Sequence, residues 1–227
     1  MATYSGTFNF FPSTGEIGLT AFGRIGVKRT SVTASHMAEL RNAANLILSE
    51  WSNQTPNLWV VDLISVSLSA GTATYNVPVE TVMILDMYIS ADGVDRLIFP
   101  ISRSEYASYS DKTIQAAPTV FWFDRILAPT FTLYPVPDSS ATYTAKYYSV
   151  RQTYDATIVG ATNPEIPYRF LEAFTSGLAW KLSEIYAPAL EDKLFARYQR
   201  AWGIASAQDV ENVPIYITPG IGGYYDY

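Results

Sequence analysis

Three acidic side chains, Glu105, Asp111 and Asp124, fall within one stretch of the chain. Glycosidases need such carboxyls in pairs, one to protonate the leaving oxygen and one to act as base or nucleophile. No spacing selects two of the three, and a chain with 21 Asp and Glu places acids near one another without any catalytic purpose. Each is read as solvated or structural. His36 is the single histidine, and cysteine is absent. One imidazole cannot build a zinc site, while thiolate ligands, disulfides and cysteine nucleophiles are excluded. His36 also falls in the first turn of an expected helix, the usual place of a surface or capping residue. Gly222 and Gly223 precede Tyr224 and Tyr225, not a lysine and a helix, so they form no phosphate cradle. The sequence offers no catalytic residues, no metal ligands and no cofactor motif, and the expectation is a protein that is not an enzyme.

Three other constellations point to binding. Arg24, Lys28 and Arg29 are a small basic cluster, Arg24 and Lys28 being four residues apart as on one helix face, and such a patch suits phosphates or an acidic partner. Trp59, Trp122 and Tyr109 would serve as stacking platforms if they lay on the surface of a carbohydrate-binding sandwich. The C-terminal stretch is the most informative. Ile215, Tyr216 and Ile217, then Tyr224, Tyr225 and Tyr227, stand in a frame of Pro214, Pro219, Gly220, Gly222 and Gly223 that cannot pack by itself. Leaving that apolar area in water costs about 25 cal/mol per Å². Extended segments of this kind join a sheet edge or lie in a groove on a neighbour.

These candidates must be positioned by a fold, and composition bounds it. In 227 residues, 48% are hydrophobic and 16% charged, the balance of a folded globular protein. The net charge of −6 opposes tight wrapping of nucleic acid. No apolar run of membrane-spanning length occurs, and the first residues lack the basic start of a secretion signal, which with the lack of cysteine reads as a soluble protein made in a reducing compartment. Seventeen tyrosines among so few charges suggest surfaces that bind protein.

Periodicity then supplies the elements. A short helix is expected within Gly15–Val27, capped by Ser13 or Thr14 and closed by Gly26, despite Gly18 and Gly23. Met37, Leu40, Ala44, Ile47, Leu48 and Trp51 predict a helix from about Ala34 to Trp51 with Thr33 or Ser35 as cap. From Trp59 the period becomes two, and strands are expected through Leu68, at Tyr75–Val79, Val82–Ser90, Val94–Phe99, Val120–Asp124, Thr130–Tyr134 and Thr142–Val150, with a hairpin turn at Asp92-Gly93. The spacing predicts an antiparallel sandwich. Helical pattern resumes after Asn163-Pro164, with Phe170, Leu171, Phe174, Leu178, Leu182 and Ile185 on one buried face, and a second helix runs from Pro188 to about Gln208. The expected fold class is α+β: residues 1–57 and 152–212 share a helical core, residues 58–151 form an inserted β-domain, and residues 213–227 form an extended tail.

Several runs carry a resemblance. They are Ser49-Glu50-Trp51, Asn57-Leu58-Trp59, Leu68-Ser69-Ala70-Gly71, Thr74-Tyr75-Asn76-Val77, Leu85-Asp86, Ile101 to Tyr106, Phe121 to Arg125 and Leu133 to Asp138. With Gly177-Leu178-Ala179 and the stretch Ala196 to Asp209, they resemble the head-to-tail adaptor, or connector, proteins of short-tailed bacteriophages, called tail tubular protein A in one lineage. Tyr106, Lys112, Pro118, Tyr134, Pro135 and Pro137 match that family's central pattern. The resemblance implies a virion protein, assembled in the host cytoplasm, that forms a ring commonly of twelve copies beneath the portal and continues the DNA channel toward the tail. Helices would face the portal, and the β-domain would face the nozzle and sibling subunits. The tail would reach the portal or a neighbour, though its Tyr-rich end departs from the shorter, more polar ends of the family. Twelve copies at −6 each would carry −72 and let duplex pass without gripping it. The alternatives that the residues leave open are a peptidoglycan-degrading tail enzyme with Glu105 as acid, and the carbohydrate-binding module.

Overall fold

The computed structural model describes residues 5–54, 57–158 and 162–210. The expected tail, with Ile215, Tyr216, Ile217, Tyr224, Tyr225 and Tyr227, lies outside the described residues.

Helix α1 (Thr14–Arg24) starts in a capping box: Ser13 Oγ accepts the Glu16 N–H at 3.3 Å and the Ser13 N–H donates to the Glu16 carboxylate at 3.0 Å. Ile17, Ala21 and Phe22 form its buried face. Gly18 is on that face for a packing reason, since a Cβ there would sit 2.0 Å from Leu40 Cδ2 on the next helix. Helix α2 (Ala34–Gln54) runs three residues beyond its expected end. Its N-terminus is closed by Thr33 and His36: the His36 N–H donates to Thr33 Oγ1 at 3.5 Å and the Thr33 N–H donates back to His36 Nδ1 at 3.2 Å. The lone histidine is therefore a capping residue, and its ring also stacks on Tyr186 at 4.7 Å.

Seven strands follow, interrupted by a short helix. They are β1 (Val61–Ser67), β2 (Thr74–Asn76), β3 (Thr81–Ala91), β4 (Val94–Pro100), then α3 (Arg103–Ser108), β5 (Val120–Asp124), β6 (Thr130–Tyr134) and β7 (Tyr143–Arg151). Asp92 and Gly93 both take positive φ, 49° and 83°, as the expected two-residue hairpin turn requires. The expected two-sheet antiparallel sandwich is corrected. One sheet of order β1-β7-β3-β4-β5-β6-β2 curls on itself, and β4 and β5 run parallel through Phe99↔Val120 and Pro100↔Phe121. The reason is local: Pro100 has no N–H to extend the ladder with β3, and the chain detours through α3 before β5 starts beside the end of β4. Met87, Ile89, Ile98, Phe121, Phe131, Leu133 and Tyr147 fill the curl.

Helices α4 (Leu171–Tyr186) and α5 (Glu191–Ser206) return to α1 and α2 and close a second core around Trp51, which packs on Phe170, Phe174 and Trp202 and donates its Nε1–H to Tyr198 Oη at 2.9 Å. Ile185 is not on the buried face of α4; it is 57% exposed. The stripe steps by four from Leu178 to Leu182 and on to Tyr186, which packs against the core in its place. The fold is thus α+β with a helical core built from both ends of the chain and a β-core between.

Candidate interaction surfaces and the joint between the cores

The basic cluster does not form one helix face. Helix α1 ends at Arg24, and Lys28 lies beyond it, ahead of a 3-10 turn at Arg29–Ser31. Arg24 turns inward, donating to Glu172 Oε2 at 2.7 Å and to Ser176 Oγ at 2.8 Å. Arg197 of α5 donates to the other Glu172 oxygen at 3.0 Å. Burial acts to raise the Glu172 carboxyl, but the Arg24 and Arg197 interactions and the Ser176 hydroxyl outweigh it and hold the group below its ordinary range. Arg24 ties α1 to α4 and α5. Lys28 and Arg29 remain exposed. Arg29 lines an open groove of about 730 Å³ with Phe10, Phe11, Tyr168 and Glu172.

Of the three acids, Asp111 and Asp124 have side-chain partners, while Glu105 is bonded through its backbone. Ser102 Oγ accepts the Glu105 N–H at 3.1 Å, which makes Ser102 the N-cap of α3 and places Glu105 in its first turn. Asp111 Oδ1 accepts the Thr113 hydroxyl at 2.6 Å and the Thr113 N–H at 2.8 Å, and these bonds hold its carboxyl below the usual range. Asp124 accepts from Arg103 at 3.2 Å.

Helix α3, which is not among the elements expected from periodicity, brings three of the family-pattern residues together. Tyr106 stacks on Trp122 with centroids 5.5 Å apart, Tyr109 stacks on Tyr134 at 4.2 Å, and the two tyrosines of the helix meet edge to face. Lys112 Nζ lies 5.5 Å from the Tyr106 ring and Arg103 lies 5.6 Å from Trp122. The faces of Trp122 and Tyr109 thus pack against side chains of the same chain. Pro135 follows Tyr134 through a cis peptide. Pro118 and Pro137 are buried, and the Pro137 carbonyl accepts the Gly71 N–H at 2.9 Å. Trp59 is no surface platform either: it packs on Phe170 at 4.6 Å and donates its Nε1–H to the Glu165 carbonyl at 3.1 Å.

The joint between the cores escaped the sequence reading. Arg151, at the end of β7, donates to both Glu165 oxygens at 2.9 and 2.5 Å and to Asp62 of β1 at 3.0 Å, and its guanidinium lies 4.3 Å from the Tyr154 ring centroid. Glu165 also accepts the Tyr154 N–H at 2.8 Å. The Glu165 bonds push the already high Arg151 value further up, against burial. Burial would raise Glu165, but the Arg151 bonds and the Tyr154 N–H prevail and lower it. A second clamp lies close by in sequence: the buried Asp209 carboxylate pairs with Arg169 and accepts the Leu58 N–H at 3.3 Å, fixing the exit from α5 beside the entry to β1. No sequence pattern marks these pairs, because Asp62, Arg151 and Glu165 become neighbours only when β1 pairs with β7.

Among the described residues no group of three His, Asp or Glu is placed to hold a metal ion, and no helix is long and apolar enough to cross a membrane. A family model described as SU10 adaptor protein matches residues 22–218. The chain belongs to this family of phage head-to-tail adaptors. A comparison with curated proteins finds none that matches. The adaptor is a structural component of the virion, and the family's role implies binding to phage structural proteins such as portal and tail. Its matched span takes in the β-core, the helical core from Phe22 onward, both clamps and the α3 aromatic stack.

Large apolar side chains are uncovered at several places among the described residues, three groups of them lying near one another in strand register or in sequence. On the outer face of the sheet Leu63, Leu97 and Phe99 are more than half exposed, beside Tyr148. At the β5–β6 tip Ile126 and Leu127 project, and on the N-terminal arm Phe8 and Phe10 do so.

Proposed function

We propose that the adaptor closes into a ring of identical copies, twelve by family resemblance, seated between the portal of the head and the tail, and that it continues the DNA channel without enzymatic activity. The observation that carries this reading is the uncovered apolar surface of a chain with few charges. Leu63, Leu97, Phe99 and Tyr148 share one sheet face: Leu63 pairs with Tyr148 opposite in direction to the half-buried Ile64 and the buried Tyr147, and Leu97 and Phe99 flank the buried Ile98. Faces of this kind, rich in aromatic and poor in charged residues, suit permanent contacts. An interface repeated around an axis uses two different patches and closes when the rotation is right. The exposed apolar groups on the sheet face, the β5–β6 tip and the N-terminal arm supply candidates for both.

Lys28 and Arg29 are the exposed cations of the basic cluster that an acidic partner would meet. The aromatic end of the chain, Tyr224, Tyr225 and Tyr227, supplies contact area for the portal or an adjacent subunit. The net charge of −6 per copy keeps the passage repulsive to duplex, so DNA moves through it. Light scattering and electron microscopy of the purified chain, with and without the portal, test the reading. A closed ring on the portal is expected; a chain that stays monomeric with the portal present refutes it.

A further inference from the structure

We infer that the β5–β6 tip of each copy docks on the outer sheet face of the next, with Arg125 of the tip paired to Asp86 of the face inside an apolar contact. The inference rests on the ring reading above and names the two surfaces that meet in it. An irregularity in β3 builds the receiving face. Ile84 pairs with Ser149 and Met87 with Tyr147, so two residues, Leu85 and Asp86, stand opposite the single Tyr148. A bulge of this kind re-aims a side chain. Ile84 packs on the β-core and Met87 is buried in it, which leaves Leu85 and Asp86 to the outer side. Tyr148 pairs with Leu63 on β1, and because Met87 pairs with Ile98, Asp86 comes level with Phe99 on β4. An exposed carboxylate thus lies among Leu63, Tyr148 and Phe99. Lys146, on the same face, is turned to Asp95 at 4.0 Å and to the Tyr88 ring at 5.7 Å. Among the described residues Asp86 belongs to no ion pair.

The tip carries the matching groups. Arg125, Ile126 and Leu127 follow β5 directly, all three exposed and Leu127 wholly so. Their turn is held at both ends: Asp124 accepts from Arg103, and the carbonyl of the buried Pro129 accepts the Val77 N–H at 2.9 Å. Arg125, like Asp86, is in no ion pair among the described residues. Charge decides between the tip and the N-terminal arm as the occupant of the face. Residues 5–12, Ser-Gly-Thr-Phe-Asn-Phe-Phe-Pro, carry no charge, so their phenylalanines would cover Asp86 without pairing it. A carboxylate buried without a partner is costly. The tip covers the same apolar area and brings a guanidinium, the cation best shaped to meet a carboxylate in an interface. Tip and face are different patches, so each copy gives one and receives the other, the head-to-tail pattern that closes a ring.

Reversing one charge at a time tests the pairing. In Asp86→Arg two arginines would meet at every contact, in Arg125→Asp two aspartates, and like charges set against each other oppose association. Each variant alone is expected to give at least tenfold less closed ring on the portal than the unsubstituted chain, read by electron microscopy and light scattering. Urea unfolding of both should match the parent, since the two positions are exposed. An equal mixture of the two variants restores opposite charges wherever copies alternate, as twelve can, and is expected to recover at least half of the ring. The Asp86→Arg, Arg125→Asp double variant is expected to do the same unmixed. Single reversals that close as well as the parent, or a loss that neither the mixture nor the double variant repairs, overturn the pairing and leave the ring reading standing. An unsubstituted chain that forms no ring on the portal overturns the ring reading, and the pairing with it.

Discussion

Removing the Glu165 carboxylate opens the joint between the cores at its most committed point. Arg151 is 15% exposed and Glu165 27%, and Glu165→Ala leaves the guanidinium with Asp62, which is 57% exposed. Breaking a fully buried pair costs about 3–5 kcal/mol, and an exposed pair is worth about 0–1 kcal/mol. With Asp62 retained, the ion-pair loss falls between, near 2 kcal/mol, and the unpaired Tyr154 N–H adds about 0.5–1.5 kcal/mol. Glu165→Ala should therefore destabilise by about 2–3 kcal/mol at pH 7, and Glu165→Gln, which keeps an acceptor for Tyr154, by about half as much. The pH dependence has a fixed sign. A carboxyl held below its unfolded value contributes stability that is complete above that value, about 4.3–4.5, and is lost as pH falls through the folded one. The gap between the unsubstituted protein and Glu165→Gln should be full at pH 7 and shrink below pH 4.5, while Glu172 and the other acids titrate alike in both and cancel. Urea unfolding at pH 7, 5.5 and 4 reads this through tryptophan fluorescence, with Trp59 bonded to the Glu165 carbonyl as a probe at the joint. An alanine variant within 0.5 kcal/mol of the parent, or a gap that does not change with pH, refutes the reasoning.

Two glycines of α1 should respond with opposite signs. Gly18→Ala drives a methyl group into Leu40 and should cost about 1–2 kcal/mol net of its gain in helix propensity, whereas Gly23→Ala meets nothing within 4 Å and should stabilise by up to about 1 kcal/mol in the same denaturant assay. Leu97→Lys with Phe99→Lys should leave monomer stability within about 0.5 kcal/mol, as expected for exposed positions, yet prevent ring closure in light scattering. Deleting residues 219–227 should leave the monomer folded while weakening capture on the portal at least tenfold in a pull-down; undiminished capture removes the aromatic end from the interface.

Periodicity made most of the elements legible. Strands β5 and β6 begin and end at the residues expected, because alternating apolar side chains are bounded there by proline-containing or polar turns. Helix α3 went unread because six residues hold no full amphipathic period; the signal that finds it is Ser102 with Glu105 three residues on, a cap pattern. The parallel β4–β5 contact involves two residue pairs and depends on where a 19-residue excursion returns, which no local pattern encodes. Residue type also misled at Arg24: an arginine in a basic run looks like surface until Glu172, 148 positions away, is brought against it.

That last point bears on how the adaptor treats DNA. The planar guanidinium is the side chain best shaped to grip phosphate, and in this protein Arg24, Arg103, Arg151, Arg169 and Arg197 are all engaged by carboxylates of the same chain. All five do so where elements meet: α1 with α4, α4 with α5, α3 with β5, β7 with the segment leading to α4, and the turn before α4 with the end of α5. Arg24 and Arg151 in particular are drawn inward to hold the cores in a fixed relation, while Leu63, Leu97 and Phe99 are turned outward. In the proposed ring this arrangement serves both ends of the task. The apolar faces are covered by neighbours, and with half of its ten arginines engaged by its own carboxylates the chain keeps a net charge of −6, a field of the same sign as the DNA.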